Sequence, residues 1–301
     1  MKLAFFNDFV LGVVRGDRIF DVTRAVQEVP HVGPHDLISR LIEQFPQHQS
    51  LLEQAAGSGQ GTPLQQVRLR APLPKPGKIL CMAGNYRETG TVKEPRPFNA
   101  FLKSPNGVVG DGDTVALPKA QAPVFHHEAE LGLVVGKRAS QIKPEEAREH
   151  IFGWVNFIDV SARGLGPPNS DTYFWTKSWH TFAPMGPYLV TTDEVQDPQN
   201  LPVKLWVSGE LRQDFSTSDM AHSIAETLAW ASMITTLNPG DVLALGTNHQ
   251  GLGALQDGDQ VEMETTGLGR LRVTVADPLK RQWPRGVDRS AANPAFRRVS
   301  A

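Results

Sequence analysis

Two glutamates, Glu128 and Glu130, stand two residues apart at the start of an apolar segment. In a β-strand, side chains at this spacing point to the same face, so the two carboxylates are expected to lie close together. Such a pair must be solvated, protonated or bridged by a cation, and its hard oxygen ligands favour Mg²⁺, Mn²⁺ or Ca²⁺. On this pair alone, a solvated acidic edge is the more common arrangement.

A third acid changes that balance. Asp159 comes directly after the apolar run at residues 154–158. An unpaired aspartate buried at the end of such a strand is unfavourable enough to require a partner. A divalent ion shared with the two glutamates would supply one. The sequence therefore predicts one metal site with three carboxylate ligands, Glu128, Glu130 and Asp159.

Three motifs around these acids are similar to those of a known family. They read Glu128-Ala129-Glu130-Leu131, Asp159-Val160-Ser161-Ala162-Arg163 and Lys177-Ser178-Trp179-His180-Thr181-Phe182. In order and approximate spacing they resemble the Glu-x-Glu pair, the aspartate motif and the following lysine of the fumarylacetoacetate hydrolase family. Flanking segments extend the resemblance over residues 72–276, and they include Asn85-Tyr86-Arg87, Phe101-Leu102-Lys103 and Gly246-Thr247.

The resemblance implies a fold and a cofactor. The fold is α+β, mainly β, with a mixed β-sandwich roll as the catalytic domain, and the proteins usually form homodimers. In such proteins three carboxylates hold Mg²⁺ or Mn²⁺, and the ion chelates a small 2-oxo or 1,3-dioxo acid. A metal with open positions binds adjacent keto and carboxylate oxygens and stabilises an enolate.

Four further residues are expected to act beside the metal. Lys177 is expected to be catalytic, and Arg163 to bind the substrate, because their charges offset the carboxylates and attract an anion. Thr247 and Tyr86 are expected to donate hydroxyl hydrogen bonds to the substrate. The structural alternatives are a surface lysine, a salt bridge and two hydroxyls that are buried and already satisfied.

The chain also departs from the family pattern. Many hydrolytic and decarboxylating members place a histidine and a glutamate after the Asn-Tyr motif, and this pair activates water. Here those two positions are Thr89 and Val92, and Gly166 stands where the family often has a glutamine. The sequence therefore leaves both the general base and the choice of substrate open.

A histidine in a different loop is the base that we predict. His249 belongs to the segment Gly246-Thr247-Asn248-His249, which would border the metal if it lies as in relatives. An imidazole titrates near neutral pH, which suits it to proton transfer. The alternatives are an exposed loop histidine without a role, or proton transfer by Glu88, by His126 or by a metal-activated water.

The resemblance implies a metal-dependent hydrolase that cleaves a C–C bond in a small 1,3-diketo or 2-oxo acid, because this is the commonest activity associated with these motifs. Because the usual water-activating pair is absent, isomerisation or keto-enol tautomerisation is the first alternative, since it needs proton transfer but no water attack. Decarboxylation of a 2-oxo diacid such as oxaloacetate is another. A catalytically silent relative that keeps the metal for stability is the non-enzymatic alternative.

The elements that must position these side chains fall into three parts. A small β/α domain is predicted at residues 1–71, the catalytic domain at 72–276 and an extended tail at 277–301. Core strands are predicted at residues 131–135 and 154–158, because both runs are too apolar to leave one face in water.

Only three helical segments are expected. One begins at Asp36 and is broken by Pro46, and the others cover residues 144–151 and about 219–237.

Composition restricts the function classes further. The 301 residues carry a net charge of -2, which provides no basic field for nucleic acid. No apolar stretch approaches the roughly 20 residues that a membrane span requires. The single cysteine cannot form an intramolecular disulfide, which fits a reducing cytoplasm. We therefore expect a cytoplasmic homodimer whose partner is a small molecule.

Overall fold

The computed structural model describes residues 1–167 and 172–289 of the chain. Nineteen strands lie within these residues. They are β1 (Lys2–Phe6), β2 (Val10–Arg15), β3 (Arg18–Asp21), β4 (Thr62–Pro63), β5 (Leu69–Arg70), β6 (Ile79–Met82), β7 (Ala100–Lys103), β8 (Val108–Val109), β9 (Thr114–Ala116), β10 (Phe125–His126), β11 (Ala129–Val135), β12 (Ile151–Ile158), β13 (Ser161–Ala162), β14 (Ala183–Thr191), β15 (Pro202–Val207), β16 (Glu210–Ser216), β17 (Val242–Ala244), β18 (Gln260–Thr265) and β19 (Arg270–Ala276). The two predicted core strands are confirmed as parts of β11 and β12, in which nearly every residue is buried.

Four α-helices lie within the same residues. They are α1 (Pro34–Glu43), α2 (Phe45–Gly57), α3 (Tyr173–Lys177) and α4 (Ile224–Ile234). The prediction for Pro46 was wrong in part. The first helix does end before it, but a second helix begins at Phe45 with the proline in its first turn. Proline is tolerated there because the first backbone N–H groups of a helix have no intrahelical partner.

The third predicted helix is shorter than expected. It begins at Ile224, because the Ser223 side chain caps it and Glu226 returns a bond to the Ser223 backbone N–H. It ends at Ile234, since Thr235 is already extended. The predicted segment at residues 144–151 is a 3₁₀-helix, Pro144–His150.

The larger of the two main sheets has twelve strands. Its main path runs β4-β3-β2-β1-β14-β12-β11-β17-β6-β7, with β5 paired to β1 and β8 to β14. Two neighbouring pairs are parallel, β17 with β6 and β14 with β8, so the sheet is mixed. The site residues gather at one end of the central strands β6, β11, β12 and β17, as described below.

A five-stranded sheet in the order β16-β15-β18-β19-β9 packs against the first. One hydrophobic core joins the two, and it includes Ala129 and Ile158 from the large sheet with Leu205, Met263 and Leu271 from the small one. The predicted α+β fold, mainly β and built as a mixed sandwich roll, is confirmed.

The chain termini attach to this body in different ways. Strand β1 pairs with β14 in the register Lys2↔Val190, so the N-terminal strands extend the large sheet. The division at residue 72 stays a prediction. Residues 277–289 of the predicted tail pack on their own chain, and the remainder, 290–301, lies outside the described residues. Within 1–167 and 172–289, no helix has the length and apolar character that crossing a membrane requires.

Candidate active site

Three buried carboxylates form a cluster at the end of strands β11 and β12. Glu128 directly precedes β11, Glu130 is its second residue, and Asp159 follows β12. The antiparallel pairing continues past the strand ends, because the Asp159 backbone N–H donates to the Glu128 carbonyl at 2.8 Å. One oxygen from each carboxylate lies within 4.8 Å of the others. The structure thus brings together the three acids that the sequence predicted as metal ligands.

Glu130 is the carboxylate that most needs a cation. Its Oε2 accepts the Gly246 backbone N–H at 2.7 Å. Among the residues that the structure describes, no lysine or arginine forms an ion pair with it. Burial raises the pKa of Glu130 well above its usual range, and the negative charges of Asp159 and Glu128 raise it further. A divalent ion would remove this repulsion, so the donor set fits a hard cation.

Gly246 is required at this point because the chain turns sharply there. Its φ is +90°, and a Cβ at this position would lie 3.1 Å from the Cβ of Asn85. Only glycine adopts such a conformation readily. The turn directs the Gly246 N–H at Glu130 and carries Thr247 and His249 toward the same end of the sheet.

Lys177 lies inside the cluster, at the C-terminal end of α3. Its Nζ donates to Glu128 at 2.8 Å, to Asp159 at 2.6 Å and to the Ser161 hydroxyl at 2.6 Å. Burial alone would lower the pKa of Lys177, but Asp159 and Glu128 outweigh burial and raise it. The ammonium is therefore charged at neutral pH and acts as a fixed cation, not as a surface lysine.

Arg163 reaches the cluster from the solvent side. Its Nη2 donates to Glu128 in a very short bond, and its Nε donates to His126 Nδ1 at 3.1 Å. Burial alone would raise the pKa of Glu128, but Lys177, Arg163 and His249 hold it well below its usual range. The Arg163 side chain is 28% exposed, whereas that of Glu128 is 6% exposed.

His249 forms a close pair with Glu88. The His249 backbone N–H donates to Glu88 Oε2 at 2.7 Å, and its Nδ1 lies 2.6 Å from Glu88 Oε1. Glu88 and Thr89 both have positive φ, a strained conformation for non-glycine residues. Hydrogen bonds hold them in it, because Gln250 Nε2 donates to the Glu88 carbonyl and the Thr89 N–H donates to Asp219.

The two predicted hydroxyl donors differ in their surroundings. Tyr86 is 1% exposed, and within the described residues its hydroxyl has no hydrogen-bond partner. Burial raises the pKa of Tyr86 well above its usual range, and the negative charges of Glu130 and Asp219 add to this effect. The hydroxyl therefore keeps its proton. The Thr247 hydroxyl accepts from Gln213 Nε2 at 2.9 Å and is buried. Of the two buried hydroxyls, that of Tyr86 is therefore the one without a partner among the described residues.

Comparison with known proteins matches this arrangement to one family. The model of the fumarylacetoacetate (FAA) hydrolase C-terminal domain matches residues 78–276. The chain belongs to the fumarylacetoacetate hydrolase family. The predicted family and the prediction of an enzyme within it are confirmed.

Relatives within this family carry more than one activity. The chain is 33% identical over 295 residues to maleylpyruvate hydrolase of Aquipseudomonas alcaligenes, covering 91% of this chain and 99% of that one. It is 38% identical over 221 residues to the oxaloacetate tautomerase YisK of Bacillus subtilis (strain 168), covering 69% and 73%. Family membership therefore does not by itself select the reaction.

Solved structures include one with a metal and a ligand. Maleylpyruvate hydrolase from Sphingobium sp. SYK-6, in complex with manganese(II) ion and pyruvate, superimposes with a TM-score of 0.83 at 35% identity, covering 92% of this chain and 99% of that one. A fumarylacetoacetate hydrolase from psychrophilic Exiguobacterium antarcticum gives a TM-score of 0.74 at 28% identity, covering 92% and 100%.

The sequence analysis did not assign a role to Lys103, a charged residue that contacts the carboxylate cluster. Lys103, at the end of β7, has a fully buried side chain that forms a very short ion pair with Asp159 and donates to the Val160 carbonyl at 3.0 Å. It stood in a family-like segment, but 56 residues separate it from Asp159. The only available signal was a lysine at the end of an apolar strand, where a charge needs a partner.

We expect Lys103→Met to destabilise the protein measurably. The substitution keeps the volume but removes one of the two lysines that contact Asp159. Breaking a buried ion pair leaves an uncompensated charge, so the free energy of unfolding should fall by about 3 kcal/mol. Urea unfolding in the presence of a chelator measures this loss of unfolding free energy. Lys204→Met is the control, because Lys204 and Asp214 form an exposed pair that should contribute less than about 1 kcal/mol.

The buried imidazole of His127 is expected to make the stability of the protein depend on pH. Its Nδ1 lies 3.0 Å from Gln213 Oε1, and its buried Nε2 has no partner among the described residues. Burial lowers the pKa of His127 from 6.5 to about 4. Between these values the unfolded chain binds a proton that the folded protein does not, so stability falls as the pH is lowered from about 6.5 toward 4.

The matched variant for this effect is His127→Asn, whose amide can still donate to Gln213 but does not titrate. Relative to this variant, the parent should lose about 2 kcal/mol of unfolding free energy between pH 7 and pH 5. Urea titrations with a chelator present measure both proteins. Parallel curves for the two proteins would contradict the assignment.

Proposed function

We propose that this enzyme hydrolyses a C–C bond in an acylpyruvate, a 1,3-diketo acid, with Mg²⁺ or Mn²⁺ held by Glu128, Glu130 and Asp159. The observation that carries the proposal is the Glu88–His249 pair beside the carboxylate cluster. It supplies a base with an orienting carboxylate, which the absence of the usual histidine and glutamate had left in doubt. The maleylpyruvate hydrolase relatives, which match almost end to end, support the same reaction.

The charges around the cluster favour an anionic substrate once an ion is present. With an ion bound, all three carboxylates would be ionised and contribute -3, and Lys103, Lys177 and Arg163 together contribute +3. A divalent ion would bring the site to a net positive charge, in a region shielded from water. A bound ion would bind the keto and carboxylate oxygens of the substrate and stabilise the negative charge that cleavage produces.

The residues of this chain would divide the remaining work. Arg163 binds an anionic end of the substrate, and Tyr86, whose hydroxyl has no partner within the described residues, donates to a substrate oxygen. Thr247 contributes a hydroxyl that Gln213 holds in place. Lys177 keeps the two carboxylates it contacts in place and adds positive charge where the enolate develops.

The proton transfers follow from the His249 geometry. Because Nδ1 faces the Glu88 carboxylate, Nε2 is the nitrogen that accepts a proton from the attacking water. The hydroxide adds to the acyl carbonyl, and the bond from this carbon to the methylene of the pyruvyl group breaks. The electron pair stays with the pyruvyl fragment as its enolate. Protonation of the former methylene carbon of this enolate by His249 gives pyruvate, and the acyl fragment leaves as a carboxylic acid.

Tautomerisation of oxaloacetate is a second possible function. The 38% identity to an oxaloacetate tautomerase is the observation that favours it. The same Glu88–His249 pair can move a proton between carbon and oxygen without activating water. The two functions differ in whether a water oxygen enters the product.

Turnover in H₂¹⁸O separates these functions. We expect acylpyruvates, maleylpyruvate among them, to give equimolar pyruvate and an acid carrying one ¹⁸O in its carboxylate, read by mass spectrometry. A tautomerase would accelerate the ultraviolet change of enol-oxaloacetate without changing mass, and a decarboxylase would release CO₂. Enzyme treated with a chelator is the control, because loss of turnover on removal of the metal shows that the reaction depends on the metal. Absence of turnover on all these acids would favour a silent relative.

We also propose that the protein is a homodimer in the cytoplasm. The family resemblance supports the homodimer. The single cysteine, Cys81, is buried and free, which is compatible with the reducing conditions of the cytoplasm. Sedimentation velocity at micromolar concentration tests the dimer, which should appear at about twice the 33.0 kDa chain mass.

A further inference from the structure

The C-terminal segment, defined here as residues 277–289, returns to the active site after the last strand. It lies beyond the part of the chain that the family model matches, which ends at residue 276. Several contacts hold it against the body. Arg281 donates to the Pro118 and Ala120 carbonyls, Arg285 pairs with Asp259 at 2.5 Å, and Gln256 donates to the Trp283 carbonyl at 2.9 Å.

The end of this segment touches the residues around the carboxylate cluster. The Asp288 backbone N–H donates to the Leu252 carbonyl at 2.7 Å, which fixes the main chain independently of the side chain. The Asp288 carboxylate lies 3.1 Å from His126 Nε2. On its other side, His126 Nδ1 accepts from Arg163 Nε at 3.1 Å, and Arg163 Nη2 reaches Glu128. A continuous chain of hydrogen bonds therefore joins Asp288 to a proposed metal ligand.

The donors and acceptors in this chain determine where the proton sits on His126. The guanidinium of Arg163 can only donate, so its bond favours the tautomer in which Nδ1 is unprotonated and accepts. The carboxylate of Asp288 accepts, so Nε2 carries the hydrogen. In the other tautomer an N–H would face the Arg163 N–H, and the bond that orients the guanidinium would be lost. His126 is 1% exposed, so water does not readily replace either partner.

We propose that Asp288 is a positioning residue that fixes the tautomer of His126 and, through it, the orientation of the Arg163 guanidinium at the active site. Similar carboxylate–histidine pairs orient ligands in metal sites, and their loss reduces affinity or activity about 10- to 100-fold. The link to substrate binding depends on the proposed function, in which Arg163 contacts the substrate. The link to the His126 tautomer does not depend on it.

The first measurement is the state of the His126 ring nitrogens by ¹⁵N NMR, with the signals assigned through the loss seen in His126→Gln. In the parent we expect one tautomer, with hydrogen on Nε2. Asp288→Ala should give a mixture of tautomers, and Asp288→Asn should restore the single form, because the amide oxygen still accepts from Nε2. A single unchanged tautomer in Asp288→Ala would overturn the proposal.

The second measurement is the Kd of pyruvate for the Mn²⁺-saturated protein, by calorimetry. Asp288→Ala should raise the Kd about tenfold, and Asp288→Asn should stay within about threefold of the parent. Arg285→Ala is the matched control: it removes a different anchor of the same segment and should leave the Kd unchanged. An equal rise in that control would mean that docking of the segment, not Asp288, determines binding, and would overturn the proposal.

A double-mutant cycle shows whether Asp288 acts through Arg163. In an Arg163→Gln background, Asp288→Ala should add little to the Kd, because its effect is transmitted by the guanidinium that is already absent. Fully additive effects would overturn the proposal. If the parent protein does not bind pyruvate at all, the proposed function fails, and the tautomer measurement still decides the role of Asp288.

Discussion

Glu130→Gln is expected to abolish stoichiometric binding of a divalent ion and to lower turnover by roughly 10³-fold or more. The amide can still accept the Gly246 N–H, so the substitution removes the charge and little else. Because Glu130 repels Asp159 and Glu128, the metal-free variant should unfold at a temperature no lower than that of the metal-free parent. Elemental analysis, steady-state kinetics and thermal unfolding with a chelator measure the three effects.

Two comparisons make this result specific. Glu128→Ala and Asp159→Ala should also lose the metal, because each removes one of the three ligands. Glu264→Gln is the control, since Glu264 lies on β18 in the smaller sheet and pairs with Arg270, away from the cluster. That variant should keep one ion per chain. Full metal content and activity in both Glu128→Ala and Asp159→Ala would refute the metal assignment.

His249→Gln is expected to keep the metal and most of the substrate affinity while losing roughly 10²-fold or more in turnover. Glutamine can still form a hydrogen bond near Glu88 but does not accept a proton at neutral pH. The loss should therefore appear in kcat, with a small change in KM. The limb of the pH profile that reports the base should disappear together with the activity.

Glu88→Gln tests the other half of the pair. It should lower kcat by a smaller factor, and the double variant should be no worse than His249→Gln alone, because the carboxylate acts through the imidazole. His150→Gln is the control, since His150 bonds to the Lys137 carbonyl and has no contact with the cluster. Unchanged kcat and pH profile in His249→Gln would show that His249 is not the base, and His126→Gln and Glu88→Gln would become the next tests.

Much of the fold followed from local sequence. The apolar runs within β11 and β12 predicted their burial because a strand with no polar face has to be covered on both sides. Helix bounds were less accurate. The capping box of Ser223 and Glu226 begins α4 five residues after the predicted start at Asp219, since reciprocal hydrogen bonds at a helix end outweigh apolar periodicity.

The proximity of the three carboxylates was predictable for a related reason. Glu128 and Glu130 are separated by a strand period, and Asp159 follows the strand that pairs with theirs. Short-range spacing and neighbouring antiparallel strands leave little freedom in where these side chains lie. The family motifs reinforced that prediction, because they preserve the same order and spacing.

By itself, the sequence determined the family, the mainly β fold and the acids of the site, because these depend on motifs and strand periods within short segments. Only the tertiary structure decided which side chains from distant segments complete the site. It placed Lys103 on Asp159, Glu88 on His249 and Asp288 on His126. Those contacts span 56, 161 and 162 residues, and no local preference of the chain encodes them. They arise from the order in which strands and loops pack, which is set by burial over the whole molecule.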